Sequence, residues 1–78
     1  MFFKLVHKNE IHVLKSEANL TMEGLKSFIR TVFKSLPSQF TLTYKDSDGD
    51  NISVVTEEDL TNLLGSEMTK VRVEIHES

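Results

Sequence analysis

The chain has 78 residues, of which 38% are hydrophobic, and it contains no cysteine. This length allows one small domain with a single modest core. The lack of cysteine excludes a disulfide framework and a zinc–thiolate site, and it favours a reducing, cytoplasmic setting. No apolar run approaches the roughly 18 residues that a membrane-spanning helix needs, so the sequence predicts a soluble domain.

The net charge of −3 conceals an uneven distribution. Residues 1–34 carry six Lys or Arg and three acidic residues, whereas residues 35–78 carry three Lys or Arg and nine acidic residues. This distribution disfavours a polyanionic partner such as nucleic acid. It favours protein partners of opposite charge on each side of the domain.

The first 15 residues are typical of a β-hairpin. Residues 2–7 and 11–15 alternate as two strands, joined by a three-residue loop in which Asn9 is suited to a positive φ. In the register that such a loop sets, Leu5 faces Val13 and Lys4 lies on the outer face beside His12. The core-facing set is then Phe3, Leu5, Ile11 and Val13.

An amphipathic helix follows the hairpin. Thr21 is a suitable N-cap, the apolar residues recur at spacings of three and four as far as Leu36, and Pro37 ends the helix. Residues 40–45 then alternate as a half-buried strand, followed by an acidic turn and a further strand over residues 51–55.

Thr56 and Asp59 match a capping box at the start of a second helix, which Gly65 is placed to end. Residues 70–76 alternate as a last strand. The order ββ-α-ββ-α-β predicts an α+β, ubiquitin-like β-grasp roll with a mixed five-stranded sheet, in which the strand order is taken from that fold by analogy.

Six carboxylates within 14 residues stand out between the third strand and the second helix. They form two groups of three: Asp46, Asp48 and Asp50, then Glu57, Glu58 and Asp59. The simplest interpretation is a solvated turn followed by a capped helix N-terminus, where acids are favourable. An EF-hand calcium loop is disfavoured, because with Gly49 at its sixth position Tyr44 and Val55 stand where the Asp and Glu ligands are required. The remaining interpretation is one anionic surface that docks a cluster of Lys and Arg.

The spacing Tyr44-x-Asp46-x-Asp48-Gly49-Asp50-x-Ile52, followed by Glu57-x-Asp59-Leu60, resembles the acidic OPCA motif of the Phox/Bem-one (PB1) domain family. The resemblance covers the whole chain, and the hairpin resembles that of selective-autophagy receptors of this family. It implies a β-grasp fold and head-to-tail pairing with other PB1 domains or with itself. The implied acidic contacts are Asp46, Asp48, Asp50, Glu57, Glu58 and Asp59.

The same resemblance implies a basic surface centred on a Lys of the first strand. Lys4 stands at that place, and Lys15 is the candidate near the end of the second strand. The resemblance implies a scaffold or adaptor role in signalling or selective autophagy. The 78 residues are then one interaction domain, expected to be the N-terminal part of a longer protein.

Other functions find less support in the residues. No nucleophile–base pattern, P-loop or dinucleotide-binding glycine pattern is present, so we expect no enzyme, no cofactor and no metal. His7, His12 and His76 lack metal-ligand spacing and are expected at the surface or at an edge. The alternative function is a ubiquitin-like or Ras-binding-type β-grasp domain that is recognised through a hydrophobic or strand-edge surface.

Overall fold

A mixed five-stranded sheet covered on one face by two helices forms the fold of the computed structural model, which describes residues 1–17 and 19–77. The elements are β1 (Phe2–His7), β2 (Glu10–Lys15), α1 (Met22–Val32), β3 (Phe40–Lys45), β4 (Asn51–Ser53), α2 (Glu57–Leu64) and β5 (Lys70–Glu77). No helix among these described residues is long and apolar enough to cross a membrane.

The strands lie side by side in the order β2-β1-β5-β3-β4. β1 and β5 run parallel, and the other three neighbouring pairs are antiparallel. The predicted α+β, ubiquitin-like β-grasp fold with a mixed sheet is therefore confirmed. Apolar residues of both helices pack on one face of this sheet, and the central strands β1, β5 and β3 supply most of its buried side chains.

The predicted register of the hairpin is wrong by one residue. The turn has two residues instead of three, so Lys4 pairs with Val13 and Leu5 pairs with His12. The positive φ falls on Lys8, at 54°, and not on Asn9. Two-residue turns match the twist of antiparallel strands, and a shift of one residue moves every side chain of a strand to the other face.

This shift exchanges the two faces of β2. Ile11 and Val13, expected in the core, are 48% and 61% exposed on the outer face. His12, expected outside beside Lys4, instead lies half-buried with its ring edge-on to Phe33, the ring centres 4.7 Å apart. Lys4 itself is exposed on the outer face, as predicted.

The two helices begin where their capping residues predict. The Thr21 side chain accepts a hydrogen bond from the Gly24 backbone, and the capping box of Thr56 and Asp59 is complete. However, α1 ends at Val32, well before Leu36, because Phe33 leaves the helical conformation and is buried in the core. The apolar spacing continues past the helix end because the residues of the following turn also pack against the core.

Candidate protein-interaction surfaces

The turn between β3 and β4 is built by its first aspartate. One carboxylate oxygen of Asp46 accepts hydrogen bonds from the backbone nitrogens of Asp48 and Asp50, at 3.0 and 2.9 Å. Gly49 donates its backbone N–H to the Asp46 carbonyl at 3.0 Å and has a φ of 83°, in the left-handed region that glycine tolerates best. These bonds hold the side chains of Asp48 and Asp50 at the exposed tip of the turn.

Carboxylate oxygens of Asp46, Asp48 and Asp50 come within 4.8 Å of one another. Such groupings are common on exposed acidic turns that hold no ion. One Asp46 oxygen already binds two backbone amides. The geometry therefore gives a concentrated negative charge and no further sign of a metal site.

The second acidic group divides between internal and exposed roles. One Asp59 oxygen accepts hydrogen bonds from the backbone nitrogens of Val55 and Thr56, both at 3.0 Å, and these bonds lower the pKa of the Asp59 carboxyl. Both Glu57 oxygens lie close to the backbone nitrogen of Met22, at 3.0 and 3.2 Å. Glu57 thus binds the N-terminus of α1, where a carboxylate is favourable.

Three of the six carboxylates remain free for other partners. Within the described chain, the side chains of Asp48, Asp50 and Glu58 are exposed and form no hydrogen bond or ion pair. Val55 lies in the segment between the two acidic groups and is 62% exposed, whereas its neighbour Val54 is buried. We call these four residues, Asp48, Asp50, Val55 and Glu58, the acidic surface.

The outer face of β1 carries the cation that the resemblance singles out. Lys4 pairs with Val13 on one side and, through the parallel pairing of β1 with β5, with Arg72 on the other. An open groove of about 610 Å³ lies here. We call its lining the basic groove: Phe2, Lys4, Val13, Lys70, Val71 and Arg72.

Lys15, the second predicted basic residue, lies at the end of β2, opposite Phe2. Its ammonium nitrogen is 5.9 Å from the centre of the Phe2 ring, within the range of a cation–π interaction. Lys15 is therefore beside the basic groove without lining it.

Two cations of the groove, Lys70 and Arg72, were not predicted as part of the basic surface. Their alternation with buried Val71 and Val73 places them on the outer face of the last strand. That they lie beside Lys4 depends on the parallel pairing of β5 with β1. Hydrophobic periodicity carries no information about which strands are neighbours.

The expectation that each histidine lies at the surface or at an edge is wrong for His7, which is on the internal strand β1. It is only 5% exposed, and its Nε2 nitrogen donates to a Glu77 carboxylate oxygen at 2.8 Å. His76 is exposed, as expected, and its Nε2 atom lies 2.8 Å from the Thr43 hydroxyl. No histidine in the described residues lines the basic groove or belongs to the acidic surface.

The acidic surface and the basic groove occupy different parts of the domain. The turn and α2 follow β3 and β4 at one side of the sheet, whereas β1 and β2 lie at the other with β5 between them. In the described residues, none of the six carboxylates forms an ion pair with Lys4, Lys70 or Arg72. Within the described part of one molecule, neither surface is therefore neutralised by the other.

Solved structures show the same fold. The chain is similar to the AtNBR1-PB1 domain, with a TM-score of 0.87 and 20% sequence identity over 100% of this chain and 97% of that one. It is likewise similar to the AtNBR1-PB1 domain in an L-type filament solved by cryo-EM, with a TM-score of 0.85 and 22% identity over the same shares of the two chains. None of the curated proteins compared with the chain matches it.

A family model described as the PB1 domain matches residues 1–78. This match agrees with the acidic motif and with the β-grasp fold, and it confirms the family predicted from the sequence. PB1 domains are protein-interaction modules and not enzymes. The chain belongs to the PB1 domain family.

Proposed function

We propose that this domain pairs head-to-tail with other PB1 domains, including second copies of itself. The acidic surface of one molecule docks on the surface around Lys4 of the next. The observation that carries this proposal is that, within residues 1–17 and 19–77, Asp48, Asp50 and Glu58 are exposed without a partner and Lys4 is exposed without an ion pair. Charge-assisted contacts of this kind give register and fast association more than raw affinity.

The other three carboxylates of the motif, Asp46, Glu57 and Asp59, contribute to pairing in different ways. Asp46 and Asp59 each bind backbone amides through one oxygen, so their second oxygen adds negative charge to the surface. Glu57 uses both oxygens at the start of α1 and acts by holding the two helices together. Lys15 adds positive charge at the margin of the basic groove.

Two different surfaces on one chain produce a heterologous contact, which closes into rings or propagates into filaments. The filament formed by the similar AtNBR1-PB1 domain supports this consequence. The proposal includes a cytoplasmic scaffold or adaptor role in signalling or selective autophagy, in a protein of which this domain is one part. The resemblance of the hairpin to selective-autophagy receptors, together with the NBR1 neighbours, supports that role.

Sedimentation velocity over a range of protein concentrations tests the pairing. We expect the wild type to associate with rising concentration and to dissociate with rising salt, because the contact is electrostatic. Asp48→Lys and Lys4→Ala should each give a monomer, whereas Lys34→Ala, an exposed cation beyond α1, should behave as the wild type. A wild type that stays monomeric at every concentration and salt would overturn pairing with itself.

The alternative, recognition through a hydrophobic or strand-edge surface, is favoured by one observation. β2 is an edge strand, and Ile11 and Val13 are exposed on it. This function predicts binding that is insensitive to salt and to Asp48→Lys. A pull-down with the wild type, Asp48→Lys and Lys4→Ala side by side separates the two functions.

A further inference from the structure

The basic groove is not only basic. Its lining combines three cations with two exposed apolar side chains, Phe2 and Val13, which are 43% and 61% exposed. Val71, the remaining residue of the lining, belongs to the buried core and alternates with Lys70 and Arg72 along the strand. Exposed apolar residues scattered singly need no explanation, but here they share one concave surface with the cations.

The acidic surface has a matching apolar feature. Val55 projects between the two acidic groups, and its backbone N–H is held at 3.0 Å by the Asp59 carboxylate. The capping box of α2 fixes the backbone on its C-terminal side, and buried Val54 fixes it on the other. Val55 is therefore an exposed apolar side chain in a well-defined position, and free carboxylates lie on both sides of it in the sequence.

We propose that Val55 of one copy inserts into the basic groove of a second copy, between Phe2 and Val13. Lys4, Lys70 and Arg72 then surround it and contact the carboxylates of the acidic surface. This inference rests on the proposed head-to-tail pairing and names the apolar anchor of that contact. It also adds Lys70 and Arg72 of β5 to the basic side.

Charge complementarity favours a second copy of this chain as the occupant of the groove. Three cations border the apolar part of the groove, and three free carboxylates accompany Val55 on the acidic surface. An apolar residue in a pocket, surrounded by charged contacts that exclude water, is the usual arrangement of an interface hot spot. An uncharged apolar peptide would offer these three cations no carboxylate to bind.

The position of Arg72 agrees with this arrangement. It pairs laterally with Lys4 across the parallel strands, and its Nε nitrogen lies 3.9 Å from a Glu74 carboxylate oxygen. Both side chains of that ion pair are about half exposed, so the pair is weak and leaves Arg72 available to a partner.

The test uses a single interface between two blocked copies. One copy carries Asp48→Lys and Asp50→Lys and presents only the basic groove; the other carries Lys4→Glu and presents only the acidic surface. Their mixture forms one heterodimer, whose dissociation constant is measured by isothermal titration calorimetry. Val13→Thr is then introduced in the first copy and Val55→Thr in the second, since threonine keeps the shape of valine and adds a hydroxyl group.

We expect each threonine variant to weaken the heterodimer about tenfold, because a hydroxyl group buried without a partner costs on the order of 1–3 kcal/mol. The two variants combined should weaken it less than the product of their separate effects, since the two side chains touch. Arg72→Gln in the first copy should weaken it at low salt. Ile11→Thr, on the same outer face but outside the groove, is the matched control and should have no effect.

The outcomes separate this inference from the function on which it rests. If Val13→Thr and Val55→Thr bind as tightly as the Ile11→Thr control while Asp48→Lys still prevents self-association, the inserted valine is wrong and the electrostatic pairing stands. If their effects simply multiply, the two side chains do not meet, and the inference is also overturned. If the two blocked copies do not bind at all, the pairing itself fails and the inference fails with it.

Discussion

Glu57 joins the N-termini of the two helices, because its carboxylate oxygens lie 3.0 and 3.2 Å from the Met22 backbone nitrogen at the start of α1. Glu57 is itself the first residue of α2. A carboxylate that the acidic motif would assign to partner binding thus accepts a hydrogen bond inside its own domain. Its neighbour Glu58 points to solvent and remains free.

Glu57→Ala should destabilise the domain by about 1 kcal/mol, the usual cost of losing a side-chain acceptor at a helix N-terminus. Urea unfolding in a Lys4→Glu background measures this change without a contribution from self-association. Glu58→Ala is the matched control and should change the free energy of unfolding by less than about 0.5 kcal/mol, since its carboxylate has no internal bond.

The same two variants should rank in the opposite order in their effect on pairing. Glu58→Ala should weaken pairing more than Glu57→Ala does at a concentration where both are folded. If Glu57→Ala unfolds like the wild type and yet no longer pairs, then the Glu57 carboxylate is a partner contact and its bond to Met22 is dispensable.

Asp59 should stabilise the domain in a pH-dependent way. Backbone hydrogen bonds from Val55 and Thr56 lower its pKa in the folded state below the ordinary value of 3.8. A lowered folded-state pKa contributes stability that is present above the unfolded pKa and is lost as the pH falls through the folded one. Asp59→Asn should therefore be less stable than the wild type at neutral pH, and the difference should shrink as the pH falls below about 3.8.

Thermal unfolding at a series of pH values measures this difference. Glu67→Gln, an exposed carboxylate with no bond in the described chain, is the control and should follow the wild type. A constant difference between Asp59→Asn and the wild type from neutral to acid pH would contradict the prediction, because it would show that only the shape of the side chain matters.

Local signals in the sequence predicted local structure well. Thr21 and the Thr56–Asp59 box place the helix starts because the capping residue and the amides it binds are three residues apart or fewer. The acidic motif likewise identifies the family because its spacing is contiguous. The hairpin register was missed because one residue more or less in the turn exchanges the two faces of β2.

Long-range relationships were outside the reach of periodicity. Glu57 and Met22 are 35 positions apart, and no local sequence pattern predicts the hydrogen bond between them. Arg72 lies beside Lys4 only because β5 inserts next to β1. The sequence consequently indicated Lys4 and Lys15 but not Lys70 and Arg72, and it gave no sign that Asp46 and Glu57 accept hydrogen bonds from backbone amides of their own domain.

Glu77, which accepts a hydrogen bond from the buried His7, should also make the stability of the domain depend on pH. A hydrogen bond from His7, with a weaker contribution from Lys8, lowers the pKa of Glu77 below its ordinary value of 4.5. The stability that this bond contributes is present above pH 4.5 and is lost as the pH falls through the folded-state value. Glu77→Gln should therefore lose stability at neutral pH and approach the wild type in acid.

Glu74→Gln is the matched control for Glu77, since it lies on the same strand and its carboxylate has only a long contact with Arg72. Chemical unfolding of the three proteins at neutral and acid pH gives the comparison. Equal behaviour of Glu77→Gln and Glu74→Gln at every pH would show that the bond to His7 contributes nothing to the folded state.

The two-residue turn of the hairpin predicts that substitutions of Leu5 and Ile11 have very different effects on stability. Leu5 is fully buried beneath α1, so Leu5→Ala should destabilise the domain by about 2–5 kcal/mol. A domain of 78 residues is stable by roughly 4–12 kcal/mol in total, so this variant should be largely unfolded at moderate urea concentrations. Ile11→Ala removes a half-exposed side chain on the outer face and should cost less than about 1 kcal/mol.

With a three-residue loop, Ile11 would face the core beside Leu5 and both substitutions would be comparably damaging. Urea unfolding of the two variants in the Lys4→Glu background thus reports the register of the strand pair that carries the basic groove, and similar losses for both would reject the two-residue turn.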